Sequence, residues 1–367
     1  MVTGAPTEQD SRLQRGDTRG GFDAELVAKV RASLAVWERQ TGFGPTSSLT
    51  GSGAIEALET EFAAFCGSRF AIGISSGTLA LRTALGAVGV REGARVIVTA
   101  LDWPAAAAAV ISLGARPIPV DVRRGSFLLD PKEVERSLDA SVRAVVVTHL
   151  SGIPADVDAL QSVCANAGVP LIEDCCQALG AASGGRPVGT TGAAGVFSLG
   201  PGKLIDAGEG GVLVTDDAGI YARAVSLSQH PARQLRSGAS ANDLALTARL
   251  HPLGAILAYT ALSEIKEDAA RQRDAAQRVI DRTVGLPGVT AVTERAGETF
   301  SWASVLAVAN AVGLGALAEA SIGAELIGAH DIAALVGSEA AVPNTRAALR
   351  SVFKLYDKDL SRVRRGL

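Results

Sequence analysis

Lys203 lies between Ser198, five residues upstream, and the glycines Gly208, Gly210 and Gly211 downstream, with the strand-forming run Val212–Thr215 after them. Upstream, an apolar stretch from Val169 to Ile172 runs into two consecutive carboxylates, Glu173 and Asp174, the second 29 residues before the lysine. An amine in a glycine-rich loop and an acid at the end of a buried strand meet the two demands of pyridoxal phosphate. Its aldehyde needs an amine for a Schiff base, and its pyridine nitrogen needs an anion to stay protonated as an electron sink. A lysine taken out of water gives up its proton more readily; the same lysine can also face solvent in an ordinary loop. Two acids at the end of a buried strand are unfavourable unless paired, and capping the next turn would equally pair them.

Two other segments could serve the same ligand. Ser75, Ser76, Gly77 and Thr78 follow one predicted strand and open a helix, where free backbone N–H groups and the helix dipole favour an anion such as a phosphate; hydroxyl residues also cap helices with no ligand present. Trp103 comes just after another strand and just before a helix with Pro104 in its first turn, at the sheet edge where ligands gather in open α/β folds. It could cover a flat heteroaromatic ring or simply pack. The run Gly200 to Lys203 is not a P-loop: Phe197 stands where the first glycine belongs, and Leu204 stands where a magnesium-binding hydroxyl belongs. The stretch from Gly51 to Glu56 lacks the third glycine of a dinucleotide fingerprint.

These residues require a scaffold of alternating elements. Strands are predicted at 70–74, 95–99, 116–120, 143–148, 169–172, 196–198 and 212–215, and helices at 54–65, 78–88, 104–113, 131–138 and 156–167. The strands are short apolar runs without alternation, which means burial on both faces and a mainly parallel sheet sandwiched by helices. A polar stretch at 234–243 reads as a loop. A long helix from Leu253 to about Ile280 then leads into a weaker, alanine- and glycine-rich α/β region over 284–367.

Composition excludes several classes. With 47% hydrophobic and 20% charged residues, the chain of 367 suits a soluble globular protein of two domains, or one large domain with an appendage. A net charge of −3 favours neither nucleic acid nor an anionic membrane, and no apolar run reaches the ~18 residues that span a bilayer. The first residues lack the charged-then-apolar pattern of a secretion signal, so a cytoplasmic location is expected, with residues 1–20 as a flexible tail. Cys66, Cys164, Cys175 and Cys176 have no zinc-type spacing and read as small buried residues in a reducing compartment. With four scattered histidines, no metal site is expected.

Taken in order, the segments 51–61, 75–81, 96–103, 117–122, 149–158, 173–180 and 197–215, with the helix after Leu253, resemble the DegT/DnrJ/EryC1/StrS family of pyridoxal phosphate enzymes over roughly residues 45–282. The resemblance implies a fold-type I transferase, with a mostly parallel seven-stranded sheet in a large domain over 21–252, a connecting helix over 253–283 and a small, shortened C-terminal domain over 284–367. It implies that Lys203 forms the Schiff base and moves the proton, that Asp174 partners the pyridine nitrogen, and that Gln177 lies near the cofactor's phenolic oxygen. Gly77, Thr78 and Ser198 would contact the phosphate, and Trp103 would stack on the ring. A histidine commonly replaces the lysine in the family's dehydratase branch, so Lys203 argues against that branch. The implied activity is transfer of an amino group from a glutamate or glutamine donor to a keto acceptor, a sugar nucleotide or another specialised-metabolite precursor such as one for an antibiotic. The implied assembly is a homodimer with its active sites at the interface. Two departures stand out. Thr247, Ala248 and Arg249 occupy the place of an Asn-Tyr-Arg segment whose asparagine reaches the partner subunit's phosphate, and the usual His/Tyr-rich C-terminal segment is missing. The altered C-terminal region leaves a lyase, elimination or replacement reaction on an amino-acid-like substrate as the alternative.

Overall fold

The computed structural model describes residues 24–41, 48–124, 126–238, 242, 244–292, 305–309, 311–320, 322–326, 329–339, 341–346 and 352–357. The expected N-terminal tail and part of the 234–243 loop lie outside these residues. The chain first forms helices α1 (Ala24–Thr41) and α2 (Ala54–Cys66), then strand β1 (Phe70–Ile74) and helix α3 (Gly77–Ala87). Next come β2 (Arg95–Thr99), the two-residue β3 (Leu101–Asp102), α4 (Ala105–Ile111), β4 (Arg116–Val120), α5 (Pro131–Ser137), β5 (Val142–Thr148), α6 (Val157–Ala167) and β6 (Leu171–Asp174). A small hairpin, β7 (Ala182–Ser183) and β8 (Arg186–Pro187), precedes β9 (Ala194–Ser198) and β10 (Gly211–Thr215).

The seven longer strands form one sheet in the order β1-β10-β9-β6-β5-β2-β4. All run parallel except β10, which is antiparallel to both neighbours. Alternation places Val212 and Val214 on one face, against Trp37, Leu58, Phe62 and Ile256, and Leu213 on the other, against Leu81, Leu85 and Val225. Each fully buried side chain of this size contributes about 1.5–3 kcal/mol, which explains why both faces of nearly every strand are apolar.

Local chemistry sets the element ends. Ser76 caps α3 by accepting the Leu79 N–H at 3.2 Å, and Asp130 caps α5 by accepting the Lys132 N–H at 2.9 Å, with Pro131 in the first turn. Strand β6 begins two residues later than the sequence predicts. The Val169 N–H closes the end of α6 by donating to the Cys164 carbonyl, and Pro170 has no N–H to give. Both carboxylates, Glu173 and Asp174, therefore belong to the strand itself. Gln234, expected in a loop, lies in helix α8 (Pro231–Arg236), which follows α7 (Ala218–Ser228); its side-chain amide donates to the carbonyls of Gln229 and Asn242.

Helix α9 (Pro252–Thr283) has 32 residues and is capped by His251, giving a length of about 48 Å. After it, β11 (Val289–Val292), β12 (Val305–Ala309), β13 (Ile322–Leu326) and β15 (Val352–Asp357) form an antiparallel sheet in the order β11-β12-β15-β13, with helix α10 (Ala311–Glu319) between β12 and β13. The segment between β13 and β15 returns to the large sheet. Strand β14 (His330–Asp331) pairs with β3, helix α11 (Ile332–Leu335) buries Ile332 in the main core, and Asp121 accepts hydrogen bonds from Asn344 and Thr345.

Candidate active site

The C-terminal edge of the parallel strands gathers the polar groups. Asp102, Thr148, Asp174 and Ser198 sit at or just beyond the ends of β2, β5, β6 and β9, the edge at which α/β sheets bind ligands. Thr148 and Asp174 are register partners, and the Thr148 hydroxyl donates to Asp102 Oδ2 at 2.6 Å. Asp102 Oδ1 accepts the backbone N–H of Trp103 at 2.7 Å.

Glu173 and Asp174 are both buried but occupied differently. Glu173 accepts N–H groups from Gly189, Thr191 and Gly192 at 2.7–2.8 Å and faces His149 Nε2 at 3.1 Å. The imidazole Nδ1 accepts the Ala155 N–H, so its Nε2–H points at Glu173. Burial pushes the Glu173 carboxyl up, but the bonds from His149, Gly192 and Gly189 outweigh it and hold the group below the usual carboxylate range. Glu173, His149 and Cys175 also place ligand atoms within 4.8 Å of one another; the hydrogen bonds just described account for the first two. Asp174 Oδ1 accepts the Cys176 N–H at 2.9 Å. Burial raises its carboxyl, while Cys176, the Lys203 ammonium and His149 pull it back.

Lys203 is half-buried in the loop joining β9 to β10. That loop is closed by Leu199 N–H to Gly210 O, Ala207 N–H to Leu199 O, and Asp206, which accepts the N–H groups of Gly202 and Gly208. The loop holds the lysine where its charge reaches both Asp174 and Cys176. Ser198, at the loop's start, accepts the Gly200 N–H at 3.3 Å.

Gly77 opens α3 against this edge. A Cβ there would meet Cys176 Sγ at 2.8 Å and Ser198 Cβ at 3.2 Å, so the first turn of the helix, the turn after β6 and the end of β9 touch. Gly211 permits the same approach from β10, since a Cβ there would lie 2.6 Å from the Ser76 carbonyl carbon. Thr78 is exposed in that first turn. Trp103 is 56% exposed, and its ring meets His330 edge-on with centroids 5.4 Å apart. Gln177 Oε1 accepts the Ser151 N–H at 2.8 Å and holds that residue at a left-handed φ of 56°.

The site thus brings together Lys203, Asp174, Gly77 and Ser198, with Trp103 at its rim through Asp102; Gln177 is tied to the neighbouring 149–152 turn. The donor set suits pyridoxal phosphate. It offers a buried carboxyl for a protonated ring nitrogen, an amine within its electrostatic reach, and a glycine-lined helix N-terminus for an anion. Sequence reasoning passed over Asp102, His149, Cys176 and His330. An acid in an apolar run, directly before Trp103, was the available signal for the first; the role of His330 depends on a contact across 227 positions and left no local trace.

A profile of the DegT/DnrJ/EryC1/StrS aminotransferase family matches residues 45–327. The chain is 40% identical over 247 residues to an L-glutamine:scyllo-inosose aminotransferase of Streptomyces griseus, an alignment covering 65% of this chain and 58% of that protein. It is 43% identical over 176 residues to an L-glutamine:2-deoxy-scyllo-inosose aminotransferase of Micromonospora echinospora, covering 47% and 42%. The chain therefore spans less than two thirds of the length of these relatives. Among solved structures, S. venezuelae DesV in complex with a ketimine intermediate superposes with a TM-score of 0.75 at 28% identity, over 91% of this chain and 90% of that one. The 3-amino-5-hydroxybenzoic acid synthase superposes at 0.74 with 25% identity, over 92% and 91%.

Proposed function

The chain belongs to the DegT/DnrJ/EryC1/StrS aminotransferase family, and on that premise we propose that it moves an amino group from glutamine or glutamate to the ketone of a polyhydroxylated ring, with pyridoxal phosphate as cofactor. The observation that carries this reading is that β9 pairs with β6, so that the loop carrying Lys203 leaves the same sheet edge at which Asp174 is buried. The names of the relatives, which specify glutamine and inososes or a dTDP-amino-trideoxyglucose, support a keto-cyclitol or keto sugar as acceptor.

When bound, the cofactor supplies an aldehyde that takes up the amine and a ring that draws electrons from the adjoining carbon. Asp174 would hold the ring nitrogen's proton, and Lys203 Nζ would bond the aldehyde at rest and then carry the proton between substrate carbon and cofactor. The first turn of α3, at Gly77 and Thr78, and the Ser198 hydroxyl would hold the phosphate. Trp103 would cover one ring face, and Gln177 would lie near the phenolic oxygen. Leu235, Leu244, Leu246 and Leu253 are large apolar groups exposed around the segment carrying Thr247 and Arg249. They support a homodimer whose contact uses this segment. A lyase or replacement enzyme would use the same Lys203 and Asp174, but the relatives' names favour transfer.

Purified protein supplied with pyridoxal phosphate should turn yellow, borohydride should bleach it and fix the label on Lys203 by peptide mass, and Lys203→Ala should remove both signals. Glutamine with scyllo-inosose should then yield the amine and one keto acid per turnover. Colourless wild-type protein would sink the cofactor assignment; keto-acid release that ignores the acceptor would sink the transfer.

A further inference from the structure

Strand β14 brings a residue from the late part of the chain back to the rim of the site. His330 is the register partner of Asp102, and residues directly opposite in an antiparallel pair project to the same side. On that side the Asp102 carboxylate accepts the Thr148 hydroxyl at 2.6 Å, and Thr148 is the register partner of Asp174 on the next strand. The His330 ring meets the Trp103 ring edge-on, with centroids 5.4 Å apart and planes at 68°. Ile332 pins the short strand in place. Its N–H donates to the Ala100 carbonyl at 2.8 Å, and its side chain is buried in the main core.

The polar groups around His330 are engaged with one another. Thr148 donates to Asp102, and Asp102 also accepts the Trp103 N–H. Gln177 Oε1 accepts the Ser151 N–H, and Asp331 accepts the Ala334 N–H and the Arg346 Nε–H. His330 differs. It is half-buried and oriented by a strand pairing and an aromatic neighbour, and no hydrogen bond joins either ring nitrogen to another described residue. Imidazole nitrogens can donate or accept, and a hydroxyl does both. A site that orients a polyhydroxylated ring needs a few such groups at fixed points. A ring held against an indole has lost much of its freedom before a ligand arrives, so binding costs it less entropy.

We propose that His330 is a specificity-determining residue for the acceptor: its imidazole hydrogen-bonds a ring hydroxyl of the keto substrate, and Trp103 holds it in the orientation for doing so. This rests on the acceptor reading above. His330 makes and breaks no covalent bond. The amino donor carries no hydroxyl, so the effect falls on the acceptor half of the reaction. The late segment that closes the rim thereby also carries the group that reads the substrate ring.

The test compares wild type with two variants. His330→Phe keeps a ring against Trp103 and removes the nitrogens; His330→Gln keeps a donor and an acceptor and removes the ring. Calorimetry of scyllo-inosose with protein loaded with pyridoxal phosphate, and given no donor, reads acceptor affinity without turnover. Loss of the cofactor's visible band with glutamine reads the donor half alone, and thermal unfolding of each loaded protein reports on folding. His330→Phe should weaken scyllo-inosose binding about tenfold, or roughly 1.4 kcal/mol, and raise its KM in proportion, with the donor half within about twofold of wild type. His330→Gln should recover affinity to within about threefold of wild type, less than the worth of one hydrogen bond. Unchanged acceptor affinity in His330→Phe would show that the ring only packs, and would overturn the proposal. So would equal slowing of both halves, or a His330→Gln protein of wild-type thermal stability that binds as weakly as His330→Phe. Wild type that takes the amine from glutamine but neither binds nor aminates scyllo-inosose would sink the acceptor reading and this proposal with it, whereas wild type without a visible band would sink the cofactor reading beneath both.

Discussion

Glu173 and Asp174 are consecutive buried acids whose side chains leave β6 toward opposite faces, and their surroundings divide them into a structural and a chemical group. Glu173 is saturated by three N–H groups and an imidazole. Asp174 looks toward Cys176, Asp102 and Lys203.

Glu173→Gln sets an amide N–H₂ against donors and should destabilise the cofactor-free protein by about 2–4 kcal/mol, read as a lower urea midpoint. Asp174→Asn should leave that midpoint nearly unchanged and reduce turnover about a hundredfold or more. Equal loss of stability in the two variants would contradict the division of roles.

The acid limb of stability should follow Glu173. Its folded pKa lies below the ordinary value, so its contribution is complete above the unfolded pKa of about 4.3 and disappears as pH falls through the folded value. Urea midpoints measured from neutral pH downward should therefore fall less steeply in Glu173→Gln than in wild type.

Gly77→Ala introduces a methyl 2.8 Å from Cys176 Sγ and should cost about 1–3 kcal/mol by overpacking. Cys176→Ala removes the obstructing sulfur, so the double variant should regain part of that loss. A double-mutant cycle on thermal unfolding should give a coupling of ~0.5 kcal/mol or more; strictly additive losses would mean that the helix start and the turn after β6 do not touch.

Arg233 forms a buried ion pair with Glu59 at 2.8 Å, and Glu59 also accepts the Gly73 N–H from β1. Arg233→Met should destabilise by about 3–5 kcal/mol by leaving that carboxylate uncompensated. Combining it with Glu59→Leu should recover part of the deficit. Burial raises the Glu59 carboxyl despite Arg233, so losing the arginine should make the protein more sensitive to rising pH.

Much of the sheet was legible because its strands are continuous apolar runs punctuated by capping residues. The seven expected strands and their parallel character follow from that pattern, and β6 moved by two residues because Val169 and Pro170 belong to the end of a helix. Lys203, Asp174, Gly77 and Ser198 were visible as residues of unusual type at element ends. The position of Gln234 was not, since a short helix capped by His230 looks polar in sequence. The Asp102–Thr148 bond joins residues 46 positions apart, and periodicity carries no information about such a meeting.

The attachment of β14 to β3 and of Asn344 and Thr345 to Asp121 ties the far end of the chain to its first half. The rim around Trp103 is built from an early strand, yet its outer wall comes from residues more than 200 positions later in the chain. The same late segment also buries Ile332 among the side chains of the large sheet, so the wall beside Trp103 and part of the core are completed together.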